Sequence, residues 1–303
     1  MKRYDVFGIG AITIDLIGRV SFWPGTGAKV QLETFDIHEG GLTATALVTV
    51  ARLGGNAGIG ARLGFSTWAS RSVEALEKSG VDVSNILRIE GCEPVVSMII
   101  SNKKDYDRNI FFSREGVSYP MPDELPDRHW YRHTRVLLID HGTGRAGLEA
   151  ARLASANGVE VIIDAERIEP HLEEMLGYCH HIVVSDQFAR MYSGIDQLDK
   201  ALYYLRKFPD QTIIITLGQN GLIGLSGDEI FKIQGHSVSV VDTTGCGDVF
   251  HGAYALAIAR GNPVKKASEY ANAAAGFSAT RPGGRQGIPS AGQLEEFMRG
   301  NSR

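Results

Sequence analysis

Cysteine is scarce in this 303-residue chain: Cys92, Cys179 and Cys246 are odd in number and lack metal-ligand spacing. They argue against a disulfide framework and for a reduced compartment, so the expected address is the cytoplasm. No stretch approaches the ~20 apolar residues of a membrane span. The opening Met1-Lys2-Arg3-Tyr4-Asp5 puts an acid where a secretory signal would need apolar residues. Charge of one sign is missing as well: 31 Lys and Arg face 35 Asp and Glu, a formal net charge of -4, with no like-charge block. A nucleic-acid or membrane-surface partner is therefore not expected. Proline is sparse, at 10 residues, whereas glycine reaches 36 and marks tight turns and close approaches.

What is present is apolar material in short runs, 43% hydrophobic overall, enough for one large core. Asp5 to Gly10 reads as a buried strand feeding a turn, and similar runs recur at Arg135 to Ile139, Val159 to Ile163, His181 to Val184 and Thr212 to Thr216. Helical patterns lie between or beyond them, at Gly144 to Asn157, Gln197 to Lys207, Gly247 to Arg260, Val264 to Ala279 and Ala291 to Arg299. This alternation predicts an α/β fold with a mainly parallel sheet covered on both faces. Lys29 to His38 and Pro94 to Phe112 alternate polar and apolar residues instead, flanking a helix-forming stretch from Leu42 to Leu53. They predict strands outside the main sheet, forming a small β lid inserted in the body.

The segment Val240-Val241-Asp242-Thr243-Thr244-Gly245-Cys246-Gly247-Asp248 reads as strand, turn and helix start. Backbone N–H groups at a helix N-terminus favour an anion, so Gly245, Cys246 and Gly247 make a candidate anion hole. Asp248, a carboxylate beside that hole, suits a base that takes the proton of an attacking hydroxyl during phosphoryl transfer. The plain alternative is that Asp242 and Asp248 cap a turn and a helix.

Here the sequence resembles the ribokinase-like (PfkB) carbohydrate kinase family, whose signature Asp-Thr-x-Gly-Ala-Gly-Asp is matched by Asp242 to Asp248, with Cys246 in place of alanine. The resemblance implies a ribokinase-like three-layer α/β/α body over residues 1-303 as a single domain, with lid segments at about 16-39 and 93-117. It implies Asp248 as the catalytic base, the 245–247 backbone as the anion hole, and Asp242 and Thr244 at a monovalent cation, K+ in many members. Gly40-Gly41 before Leu42 resembles the family's sugar-binding glycine pair. Thr45 stands where many members have a sugar-contacting Asn, and Asp15 aligns with the acid that accepts sugar hydroxyls.

On the nucleotide side, Thr216, Gly218 and Gly221 resemble the strand end that borders ATP, and Asn272 lies on the helix that flanks adenine. The family's Asn-x-x-Glu is replaced by Ser185-Asp186-Gln187-Phe188, which leaves Asp186 as the candidate for Mg2+. The forms Thr280-Arg281-Pro282-Gly283-Gly284-Arg285 and Asp248-Val249-Phe250-His251 are similar to the sulfofructose kinase branch. In that branch a lysine matching Lys29 serves an anionic substrate group, while its other anion partners are not clearly matched at Asp140-His141-Gly142 or Ser113. A neutral sugar is therefore expected, with Arg108 and Arg114 in reserve for an acidic one.

The function implied is ATP-dependent phosphorylation of a primary hydroxyl on a sugar or sugar-like substrate, in a protein expected to dimerise through its lid. A catalytically silent sugar or nucleotide sensor remains an alternative. Gly8-Ile9-Gly10 fails as a dinucleotide fingerprint because Thr13 occupies the last glycine position.

Overall fold

The computed structural model describes residues 3–102 and 108–300, with the side chain of Arg108 outside the description. The chain begins with β1 (Tyr4–Ile9), β2 (Thr13–Val20), β3 (Thr34–Gly40) and α1 (Leu42–Arg52). It continues through β4 (Ala57–Leu63), α2 (Thr67–Lys78), β5 (Val81–Arg88), β6 (Val95–Asn102) and β7 (Arg108–Ser113). Then come β8 (Thr134–Asp140), α3 (Gly144–Ser155), β9 (Glu160–Ala165), α4 (Leu172–Leu176), β10 (His181–Ser185), α5 (Asp186–Ser193) and α6 (Leu198–Leu205). The C-terminal part holds β11 (Thr212–Thr216), β12 (Leu222–Ser226), β13 (Glu229–Ile233), α7 (Cys246–Ala259), α8 (Val264–Ser278) and α9 (Ala291–Gly300).

Nine strands form the main sheet in the order β13-β12-β11-β10-β9-β8-β1-β4-β5. All neighbouring pairs from β5 to β11 are parallel, and β12 and β13 close one edge antiparallel. The central runs are apolar throughout because both faces are covered. Leu138, Ile162, Val183 and Ile214 pack with α1, α7 and α8, whereas Leu137, Ile163, Val184 and Ile213 pack with α3, α5 and α6. The result is the expected three-layer body with its mainly parallel sheet.

The chain changes direction across the sheet at β1, which has β4 on one side and β8 on the other. In such a sheet, ligands gather outside the carboxyl ends of the strands at that switch point. The smaller sheet, β3-β2-β6-β7, stands outside the body as expected, but it is mixed: β2 pairs parallel with β6, and the other two pairs are antiparallel.

Three details differ from the sequence reading. The strand expected from Lys29 starts only at Thr34, so Lys29 lies on the exposed, irregular connection after β2 rather than on a strand. Asp15 belongs to β2, so it rides on the small sheet and not on the end of β1. Val240 and Val241 are 56% and 59% exposed and form no strand; their apolarity imitates a core run that the sheet, already complete, has no place for.

Candidate active site

Helix α7 is capped by Gly245, whose φ of 73° is the left-handed conformation that side chains disfavour. A Cβ there would also lie 3.0 Å from the Gly284 Cα, so two loops meet at this point. Asp242 ties them together: its Oδ1 accepts the Thr244 N–H at 2.8 Å and its Oδ2 accepts the Gly283 N–H at 2.9 Å. The expected trio of donors is reduced. The Cys246 N–H donates to the Thr243 carbonyl at 3.2 Å and closes the turn, which removes it from the hole. Among the described residues no acceptor engages the N–H groups of Gly245, Gly247 or Asp248. A Cβ added at Gly247 would meet nothing within 4 Å, so the protein itself does not demand a glycine there and leaves the space open.

Below the hole, His251 sets its Nδ1 2.8 Å from the Gly247 carbonyl and its Nε2 3.2 Å from the Val183 carbonyl. It thereby ties the first turn of α7 to the sheet. Sequence reasoning missed it, although its position four residues after Gly247 puts it on the same helical face.

Asp248, half-buried on that first turn, has its carboxyl pushed well above the usual carboxylate range by burial and then by Glu166, with Asp15 and Asp140 adding to the effect and Arg285 opposing it. Asp164, at the end of β9, is pushed up in the same way by burial, Glu166 and Asp248. Asp15 is raised by burial, against which hydrogen bonds from Thr13 and Ser97 and the charges of Arg285 and His38 act. The edge where β1, β2, β8 and β9 meet α7 thus carries a surplus of carboxylates.

On the acceptor side, Gly40 and Gly41 are required by packing. A Cβ on Gly40 would overlap the Asp15 carboxylate, and Gly41, at φ 101°, caps α1 with its Cα facing the Ala11 carbonyl. Thr45, buried on α1, accepts from Arg285 Nε at 3.3 Å, and Arg285 Nη2 donates to the Gly40 carbonyl at 2.8 Å. Asp140 closes the floor, accepting from the Ala11 N–H at 2.5 Å, Thr43 Oγ1 at 2.9 Å and the Gly142 N–H at 3.0 Å. Arg285 and Asp140 were quoted within motifs, but no spacing in the sequence tells that they meet here.

The remaining candidates scatter. Thr216 Oγ1 leans on the Val184 carbonyl at 3.4 Å, and Asn272 spends its amide on the Gln234 carbonyl at 2.9 Å. A Cβ on Gly221 would overlap the Ile233 carbonyl, so that glycine answers to a neighbouring backbone, while Gly218 faces open space. Asp186, on the first turn of α5, lies 3.8 Å from Arg190. Lys29 has no hydrogen bond or ion pair with Asp15, Gly40 or Thr45 among the described residues. Arg114 is held by Glu169 at 3.3 Å and fills the space above Gly142, which leaves it compensated. The side chain of Arg108 lies outside the described residues.

A helix start with unengaged N–H groups, and a carboxylate beside it, at the edge where the small sheet meets the body, is an arrangement suited to an anionic group. The pfkB family carbohydrate kinase model matches residues 4–291, and the chain belongs to that family. It is similar to the ribokinase of Haemophilus influenzae, 24% identical over 298 residues that cover 96% of this chain and 97% of the relative. The aminoimidazole riboside kinase of Salmonella typhimurium is 28% identical over 283 residues, covering 87% and 88%. The Arabidopsis thaliana ribokinase solved with ribose and ATP superposes with a TM-score of 0.89 over 99% of both chains at 19% identity, a likeness of fold. No helix among the described residues is long and apolar enough to cross a membrane.

Proposed function

We propose that this carbohydrate kinase transfers the terminal phosphoryl group of ATP to a primary hydroxyl of a neutral sugar or sugar-like acceptor. The observation that carries the reading is the pairing on one helix turn of unengaged N–H groups at Gly245 and Gly247 with the half-buried carboxyl of Asp248. Asp248 takes the proton of the acceptor hydroxyl, and burial raises its affinity for that proton above that of an ordinary carboxylate. The N–H groups of Gly245 and Gly247 hold the charge of the phosphoryl oxygens in transfer. Asp15 accepts acceptor hydroxyls, with Gly40, Gly41 and Thr45 shaping that end of the pocket. Thr216, Gly218, Gly221 and Asn272 border the nucleotide.

Magnesium suits this edge because the crowded carboxylates and a triphosphate need positive charge, and Asp186, half-buried at the start of α5, is the carboxylate that would hold it. When bound, the ion neutralises phosphate charge. A monovalent cation suits the loop of Asp242 and Thr244, where the Asp242 carboxylate joins the turn before α7 to the Gly283 loop and brings negative charge beside the anion hole. A dimer through the small sheet is part of the same reading: Met98 and Phe111 are register partners on its outer face, 49% and 62% exposed, and Phe35 adds to the patch at 57%.

A coupled ADP-release screen across pentoses, hexoses, ketoses, sugar acids, a sulfosugar and nucleosides tests the reading, with Asp248→Asn as the control. The expected result is turnover on a neutral sugar that the control loses. Sugar binding in a thermal-shift assay without product would make the protein a sensor instead.

A further inference from the structure

Arg285 sits where the acceptor pocket meets the base. Its guanidinium carries five N–H donors in a rigid fork. The Gly40 carbonyl and Thr45 Oγ1 engage two of its nitrogens, Nη2 and Nε. Its charged surroundings come from three elements: Glu39 on β3, Asp248 on α7 and Asp15 on β2. Yet among the described residues no carboxylate oxygen comes within 4.0 Å of its nitrogens, and Glu39 turns instead to Arg71 at 2.6 Å. A half-buried cation thus faces Asp15 and Asp248 across a gap wider than an ion pair.

The chemistry of the two sides of that gap says what fits it. Carboxylates only accept hydrogen bonds and a guanidinium only donates them, whereas a hydroxyl does both. A polyol lying in the gap satisfies each side. The Thr45 hydroxyl, whose oxygen takes the Arg285 N–H, still has its own proton to give to the same guest. With Glu39 paired to Arg71, an anionic group would meet Asp15 and Asp248 against one guanidinium, and the balance of charge is against it.

We propose that Arg285 is a specificity-determining residue, donating its remaining N–H groups to the acceptor oxygen beside the hydroxyl that is phosphorylated, and that it thereby selects neutral acceptors with neighbouring oxygens. This rests on the reading that Asp248 and Asp15 face the acceptor. It also assigns a role to the loop after α8, which brings Arg285 to the pocket from a distance of 240 residues in sequence.

The test uses the full chain with D-ribose, D-fructose and their monodeoxy analogues, measured by ADP release. Arg285→Gln is expected to raise the acceptor KM roughly 10- to 100-fold, as the loss of one or two charged hydrogen bonds does, with the ATP KM unchanged. One analogue, poor for the wild type because it lacks the oxygen that Arg285 holds, becomes as good as its parent sugar for the variant. A merely structural arginine would not produce that convergence. Arg285→Lys keeps the charge without the fork, should recover part of the affinity, and carries the same comparison if Arg285→Gln does not fold. Wild-type turnover with every deoxy penalty retained in the variants overturns this inference and leaves the kinase reading intact. So does a preferred carboxylated or sulfonated sugar whose advantage disappears with Arg285. A wild type that phosphorylates none of these sugars overturns the reading beneath it, and this inference with it.

Discussion

The nine-stranded body and the four-stranded sheet that stands outside it are built on opposite economies of burial. In the body, strands such as β9 and β11 are wrapped on both faces, with Ile163 and Ile214 wholly excluded from solvent. In the small sheet, β3 has no buried residue and β7 carries Ile110, Phe111 and Phe112 in the open. The body supplies a rigid edge on which α7 is set. The small sheet contributes little packing and brings chemistry instead: Asp15 on β2 and Gly40 at the end of β3. Burial belongs to one region, and on the proposed reading acceptor contact belongs to the other.

The sharpest way to break this division is at the body's reactive edge. Asp248→Asn keeps the shape of the residue and removes the base, so turnover should fall roughly 10²- to 10⁴-fold with acceptor binding nearly intact. Steady-state rates with a binding isotherm check it, and near-normal turnover would remove Asp248 from the chemistry.

Next in size is the packing itself. Ile214→Ala leaves a cavity between the sheet and its helices and should cost about 2–5 kcal/mol in urea unfolding. Phe111→Ala on the small sheet should cost under about 0.5 kcal/mol to the monomer. The same substitution should weaken any dimer, which light scattering reads.

Asp15→Ala should cost about 1–3 kcal/mol of acceptor affinity, because bound hydroxyls lose their acceptor. An altered ATP constant with an unchanged sugar constant would contradict the assignment.

A smaller effect tests the crowded carboxylates. Asp164 holds its proton more tightly in the folded state than an ordinary unfolded aspartate does. The folded state therefore binds more protons, and stability falls as pH rises from the usual carboxylate range through the raised folded value. Asp164→Asn should raise the melting temperature at pH 8 and not at pH 4, and melting curves across pH decide it. An equal gain at both values would show that charge is not the cause.

Smallest is Cys246→Ala. The thiol is pushed up to about 11 by burial and the nearby Asp242 charge, which makes it unreactive, and its backbone N–H closes a turn that alanine closes equally well. Activity and resistance to iodoacetamide at neutral pH should match the wild type.

How much of this was legible follows the same division. The apolar runs of β8 to β11 announce themselves because a strand buried on both faces must be apolar at every position, and α3 and α6 follow from periodicity, whereas the short α4 and α5 hold too few turns to show one. The 242–248 turn was legible as a motif because helix starts and close approach need glycine at fixed spacing. The strand expected from Lys29 and the one expected at Val240 failed for one reason. Alternation or a short apolar pair is a weak signal when no face is firmly buried. Cys246 illustrates a finer limit, since spacing put its N–H in the hole and only the folded turn shows that N–H bonded to Thr243.

By itself, then, the sequence determined the layered α/β body, the position of the glycine-rich helix start, and the acid beside it. These depend on local periodicity and on turns a few residues long. Only the tertiary structure decided that Arg285 meets Gly40 and Thr45, that Asp140 braces Ala11 and Thr43, and that Arg114 is neutralised by Glu169. Such meetings join residues far apart in the chain. Their energy comes from charge and hydrogen bonding across space, for which local pattern carries no code.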